Sequence, residues 1–233
     1  MSVAVITGVS SGIGEATAKL LLNEGWTVVG WDIAPPRLWG VTWASVDVGD
    51  PESVAAATAA VSEVSLLVNA AGIADRALVV DMRVDQWRRV IDVNLSGTFY
   101  CAQALHGGLA AAKGVVVNVA SIAGHRAFAG RANYCASKAA VVMLTQVLGQ
   151  EWAADGIRVL AISPGFVATE MAVAGIEGGW ISEAAIRGRT PMDRLADPAE
   201  VARSIVALAG DAFSYATGSA VLVDGGWTAN GGF

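Results

Sequence analysis

Tyr134 and Lys138 stand four residues apart in a stretch whose pattern predicts a helix, so their side chains share one face. An ammonium beside a phenol stabilises the phenolate and lowers its pKa from about 10, towards the range where it can act as acid or base near neutral pH. Alone, such a pair is also a common feature of helix surfaces. A second set lies near the N-terminus. Thr7-Gly8-Val9-Ser10-Ser11-Gly12-Ile13-Gly14 follows a strand-like run and leads into a helical one. Glycines there permit a tight turn and let a pyrophosphate approach the helix N-terminus, where free N–H groups and the dipole favour anions. Gly14 also permits close packing of helix on strand. Asp32 ends the next strand-like run, where an acid can accept hydrogen bonds from a ribose and repel a 2′-phosphate. These residues together point to NAD as cofactor. Two histidines (His106, His125) and two cysteines (Cys101, Cys135), mutually distant, make no ligand set, so no metal is expected.

The elements that must position these residues alternate. Val3–Thr7, Thr27–Trp31, Trp43–Asp47, Ser65–Asn69, Val115–Ala120, Ile157–Ser163 and Ala220–Asp224 read as strands. Helices are expected over Ile13–Asn23, from the Asp50-Pro51-Glu52 start, over Asp85 to about Ala112 with interruptions at Gly97 and Gly107-Gly108, over Arg131–Ala154, and from Asp197-Pro198-Ala199-Glu200. Strands this apolar are covered on both faces. The pattern predicts an α/β fold, a doubly wound parallel sheet of Rossmann type with about seven strands and helices on both faces. Residues 1–233 read as a single domain holding cofactor and substrate sites, with no repeat or linker. Only the ten residues Ile33–Thr42, including Pro35-Pro36, join the second and third strands, so the usual crossover helix is shortened or missing. The segment 166–190 is long for a connection and reads as a substrate lid, with hinge freedom at Gly175, Gly178, Gly179 and Gly188.

Composition sets the outer limits. The chain is 54% hydrophobic and 15% charged, with a formal net charge of −6. That balance suits a full hydrophobic core and argues against nucleic acid, whose phosphates need a basic face. No stretch of roughly 20 unbroken apolar residues suggests a membrane span. With no signal-peptide pattern and only two cysteines, the expectation is a cytoplasmic protein with reduced thiols.

Taken together, Thr7-Gly8-x3-Gly12-Ile13-Gly14, Asn69-Ala70-Ala71-Gly72, Asn94, Ser121, Tyr134-x3-Lys138 and Pro164-Gly165 resemble the short-chain dehydrogenase/reductase family in order and spacing, over Val3 to about Trp227. Ser121 stands thirteen residues before Tyr134, as in that family. The resemblance implies a catalytic set of Asn94, Ser121, Tyr134 and Lys138. Tyr134 would exchange a proton with the substrate oxygen, and Ser121 would position that oxygen. Lys138 would bind the nicotinamide ribose and lower the Tyr134 pKa. Asn94 would hold a water linking Lys138 to solvent. Gly8, Ser11, Gly12, Ile13, Gly14 and Asp32 would bind cofactor. Asp47 and Val48 would lie beside the adenine, Asn69 and Gly72 beside the adenosine half, and Pro164, Gly165 and Thr169 beside the nicotinamide amide. His125 and Trp180 are substrate-pocket candidates.

The chain departs from the family pattern in places. Ser11 is not basic and the segment after Asp32 is short, both of which favour NAD over NADP. Asn69-Ala70-Ala71-Gly72 replaces the commoner Asn-Asn-Ala-Gly, and Leu160 stands where many relatives have Asn. The short segment and the Asn-Ala-Ala-Gly variant also resemble dehydrogenases of cyclic dihydrodiols. The expected activity is hydride transfer between NAD and a secondary alcohol or ketone. The alternatives are a 3-ketoacyl-type reductase and a non-catalytic NAD-binding regulator on the same fold. The resemblance further implies a homotetramer, formed through the helices at 85–112 and 131–154 by residues such as Ala102, Ala139, Ala140 and Val142.

Overall fold

The computed structural model describes residues 2–180 and 182–231. Its elements run β1 (Val3–Thr7), α1 (Gly12–Asn23), β2 (Thr27–Asp32), β3 (Val41–Ser45), α2 (Pro51–Thr58), β4 (Leu66–Asn69), α3 (Val84–Ile91), α4 (Gly97–Ala112), β5 (Val115–Val119), α5 (Ala132–Glu151), β6 (Arg158–Pro164), α6 (Glu170–Glu177), α7 (Glu183–Arg189), α8 (Pro198–Ala209) and β7 (Ser219–Val223). One sheet takes all seven strands in the order β3-β2-β1-β4-β5-β6-β7, every pair parallel. This is the expected doubly wound architecture, and the order reverses between β1 and β4.

Alternate strand residues feed two cores. Ala4 and Ile6 of β1 point to one side with Leu66 and Val68, under Ala18 and Leu21 of α1 and Val201, Ile205 and Leu208 of α8. Val5 and Leu67 point to the other, under Val54 of α2, Cys101 and Leu105 of α4 and Leu148 of α5. The period of two is the pleat itself, so a sheet apolar at every position demands helices on both faces. Leu160 belongs to the first core and is fully buried.

Several boundaries differ from the sequence reading, for local reasons. β3 pairs Val41 with Val28 and ends at Ser45, not Asp47. The Asp47 carboxylate accepts the Gly49 N–H at 2.9 Å and closes a turn there. β7 likewise stops at Val223, because Asp224 accepts from the Gly226 and Thr228 N–H groups at 2.9 and 2.8 Å. Short polar side chains that bond the backbone two residues on favour turns over strands. Between β2 and β3 the crossover helix is absent, as expected.

The 85–112 helix is interrupted just before Gly97, as expected, but not at Gly107-Gly108. α3 and α4 are joined by a single π turn, Asp92–Ser96, and helical structure continues through Gly107 and Gly108 to Ala112. Gly97 also serves packing: a Cβ there would lie 2.8 Å from Val48 Cγ2. The helix ends at Lys113, which takes the left-handed conformation with φ of 48°. α5 stops at Glu151, and Trp152–Asp155 form a 3-10 turn. Both Asp-Pro starts behave as expected. Asp50 caps α2 at 3.0 Å from Glu52 N–H, and Asp197 with Glu200 forms a capping box on α8.

Candidate active site

The carboxyl ends of the strands open into a cleft of about 1330 Å³. Its position straddles the point where strand order reverses, which is where open α/β sheets bind ligands. The loop after β1 forms one wall. Gly8 and Gly12 take φ of +69° and +55°, a conformation that side chains with a Cβ rarely adopt. A Cβ on Gly8 would stand 2.8 Å from the Ala71 nitrogen, and one on Gly14 would run into the Gly8 carbonyl. Ser11, at the N-cap of α1, makes no side-chain capping bond, so the N–H groups of the first turn keep their polarity for the cleft. Ser11, Gly12, Ile13 and Gly14 all line it. Thr169 faces them from the other side, its Cγ2 3.2 Å from where a Gly12 Cβ would be.

Asp32 lines the cleft at the end of β2. Its Oδ2 accepts from the Ser10 N–H and hydroxyl at 3.0 and 2.7 Å, and its Oδ1 from the Ala34 N–H at 3.1 Å. The glycine-loop serine thus fixes the carboxylate in place. Asp47, Val48, Gly72, Pro164 and Gly165 also line the cleft. Gly165 packs on Asp224, whose Cα lies 2.8 Å from the Cβ position.

Tyr134, Lys138 and Ser121 meet further along the same cleft. Lys138 Nζ sits 5.8 Å from the centroid of the Tyr134 ring and donates to the Val119 carbonyl at 2.7 Å. The Ser121 side chain caps a short turn by accepting the Ala123 N–H at 3.1 Å, and it lies close enough to the Tyr134 phenol to favour its ionised form. Electrostatics differ here from the simplest reading of the Tyr–Lys pair. Burial pushes the Tyr134 pKa up, opposed by the Ser121 side chain and the charge of Arg131. Lys138 does not supply that opposition. Its own ammonium, nearly fully buried, is pulled down to about 8.

Three residues expected around the site do not line the cleft. Asn69 lies beneath it and donates to Asn118 Oδ1 at 2.9 Å, and Asn118 donates in turn to Thr145 at 2.9 Å. Asn94, on the π turn, is fully buried behind Gly72. Its Oδ1 accepts the Ile73 N–H at 2.8 Å, while its Nδ2 donates to the Ile73 carbonyl and to Ser137 Oγ at 3.0 and 3.1 Å. A Cβ on Gly72 would stand 3.4 Å from Asn94 Oδ1 and 3.5 Å from Lys138 Nζ, so this glycine keeps the space between them clear. His125 turns away to Ser163 Oγ at 2.9 Å. Trp180 does line the cleft, its ring largely exposed. Arg76, Arg131, Phe128 and Phe166 line it too. Of these, Phe166 opens the segment 166–190 and Arg131 opens the helix that carries Tyr134, whereas Arg76 and Phe128 carried no signal in the sequence.

Known proteins share this frame. Residues 8–228 match the family described as enoyl-(acyl carrier protein) reductase. The chain is 42% identical to cis-4-hydroxycyclohexanecarboxylate dehydrogenase of Sinomonas cyclohexanicum, over 97% of this chain and 96% of that one. It is 36% identical to a 3-oxoacyl-[acyl-carrier-protein] reductase of Thermotoga maritima, over 96% of each. The ligand-free aldohexose dehydrogenase of Thermoplasma acidophilum superposes with a TM-score of 0.94 at 29% identity, covering 100% of this chain and 96% of that one. A 4-hydroxyisoleucine dehydrogenase complexed with NADH superposes at 0.91 and 29% identity, covering 98% and 99%. The chain belongs to the short-chain dehydrogenase/reductase family and is an oxidoreductase of that family.

Proposed function

We propose that the protein transfers hydride between NAD and a secondary alcohol or its ketone. The observation that carries this reading is that Ser121, Tyr134 and Lys138 converge on the cleft that also holds the glycine loop and Asp32. The residues fit a dinucleotide. The loop is one that a Cβ would fill, the first turn of α1 is left without a side-chain cap, and Asp32 is held ready to accept from a ribose. The solved relative that carries NADH supports the same cofactor class. Gly8, Ser11, Gly12, Ile13 and Gly14 hold the pyrophosphate, Asp32 the adenosine ribose, Asp47 and Val48 the adenine, and Pro164, Gly165 and Thr169 the amide end.

The nicotinamide, when bound, accepts or gives the hydride. In oxidation Tyr134 acts as the phenolate and takes the hydroxyl proton; in reduction it acts as the phenol and gives a proton to the carbonyl oxygen. Ser121 holds that oxygen against the phenol. Lys138 binds the second ribose, and Asn94, its neighbour across Gly72, holds a water that links Lys138 to solvent. A 3-ketoacyl-type reductase is the second reading, favoured by the 36% identity to the Thermotoga protein. The free thiols of Cys101 and Cys135 suit the cytoplasm.

Steady-state oxidation of a panel of secondary alcohols, cyclic diols and polyols, with NAD and with NADP, tests this. NAD is expected to win by ~10²-fold in kcat/KM, about 3 kcal/mol, because the Asp32 carboxylate repels a 2′-phosphate. Asp32→Ser should erode the preference by improving NADP. Equal or better use of NADP by the wild type would overturn the cofactor assignment.

A further inference from the structure

Two arginines at the substrate end of the cleft have no part in the chemistry just proposed. Arg76 and Arg131 both line the cleft in which Tyr134 and Ser121 stand. They come from distant segments that meet at one bridge, which pairs Ala77, the neighbour of Arg76, with Arg131. The Ala77 N–H donates to the Gly130 carbonyl at 3.2 Å. Arg131 directly precedes α5, and Tyr134 follows three residues later.

Neither guanidinium has an ion-pair partner among the described residues. Arg131 rests 5.7 Å above the Phe128 ring, and Arg76 Nη1 donates to the Trp180 carbonyl at 2.6 Å. The nearby carboxylates are committed elsewhere. Asp75 receives Gln86 Nε2 on both oxygens at 3.1 Å and the Arg76 N–H at 2.7 Å, and Asp85 holds Arg83 at 3.0 Å. Burial, and then the charge of Arg76, disfavour the cationic form of Arg131. Two like charges held together, one of them half-buried, are relieved by an anion between them. The wall beside them is apolar. Phe128 stacks on Trp227 with centroids 5.2 Å apart and meets Phe166 edge-on at 6.3 Å.

We propose that the substrate is a hydroxy acid with a hydrocarbon body, its carboxylate held by Arg131 and Arg76 and its secondary hydroxyl presented to Tyr134. The inference rests on the alcohol–ketone reading above and names the substrate class for that site. In the oxidation the carbinol C–H bond breaks with its hydride going to NAD and the hydroxyl proton going to Tyr134. The carboxylate is unchanged and the product is an oxo acid.

The test compares kcat/KM for 4-hydroxycyclohexanecarboxylate with that for its methyl ester, within the wild type and within Arg131→Gln and Arg76→Gln. The acid is expected to exceed the ester by ~10²-fold in the wild type, and each variant should lower that ratio ~10-fold or more. A wild-type ratio near one, a ratio unchanged in both variants, or a preference for a polyol phosphate over the acid would overturn the inference. If neither acid, ester nor cyclohexanol is oxidised, the alcohol–ketone reading itself fails. The arginine pair is then read by calorimetry with NADH present, as binding of cyclohexanecarboxylate against cyclohexanecarboxamide. Equal affinity for the two overturns the inference, and tighter binding of the carboxylate upholds the anion site.

Discussion

Burial of Lys138 works against its own charge. The ammonium is 5% exposed, and its pKa falls from 10.5 to about 8. In the unfolded chain the group keeps its ordinary value, so folding at neutral pH opposes a proton that the chain would rather hold in water. For a base whose folded pKa is lowered, that penalty is full below about pH 8 and vanishes above about 10.5. It amounts to about 3 kcal/mol for the shift as a whole, and removing the amine also gives up its hydrogen bond to Val119. Lys138→Met should therefore be more stable than wild type by ~1–2 kcal/mol at pH 7, with the advantage shrinking towards pH 10, while losing most of its turnover. Urea unfolding at both pH values checks this, and a variant less stable at pH 7 would contradict it. The Tyr134–Lys138 pair was legible because both residues lie on one helix, where spacing alone fixes the shared face. Arg76 stayed hidden, because only the bridge between Ala77 and Arg131 brings it to the site. His125 misled for a similar reason. Proximity in sequence to Ser121 does not say which way a ring turns, and Ser163 from another strand claims it.

Among the elements, the strands were read most nearly. Their apolar runs are long enough to need cover on both faces, and that requirement admits few arrangements. The errors cluster at Asp47 and Asp224, where a side chain captures backbone N–H groups and ends the strand early. Gly107 and Gly108 misled in the opposite sense, since α4 runs through both to Ala112. Gly97, at the start of α4, leaves room for Val48. The segment 166–190 contains two short helices, α6 and α7, and Ile181 within it lies outside the described residues. Thr169 and Ser182 cap these helices. Gly179, with φ of +69°, stands beside Trp180, whose carbonyl is tied to Arg76. We propose that this segment is a lid hinged near Gly179. Hydrogen exchange should be fastest there among internal segments of the free protein and should slow when NADH and substrate are both present. Full protection of α6 and α7 in the free protein would count against a lid.

At the scale of the whole molecule, no helix among the described residues is long and apolar enough to cross a membrane. Yet large apolar side chains remain outside. Phe99 on α4 and Met143 and Val147 on α5 are 38%, 57% and 41% exposed. Ala139 also faces outward, whereas Ala102, expected on the same surface, is fully buried against the sheet. A surface of this kind on two helices that pack on the same core suits pairing with a second copy. Light scattering at micromolar concentration should give a tetramer mass, and a monomer mass would refute that assembly. The central claim is that Tyr134 is the acid and base of a nicotinamide-dependent hydride transfer. Replacing Tyr134 with Phe removes one hydroxyl from the cleft and leaves the glycine loop and Asp32 untouched. The most direct measurement is NADH formation by wild type and Tyr134→Phe on the same secondary alcohol, beside NADH affinity measured by fluorescence. The predicted result is a loss of ~10²-fold or more in kcat with cofactor affinity retained. Turnover near the wild-type rate in Tyr134→Phe would contradict it.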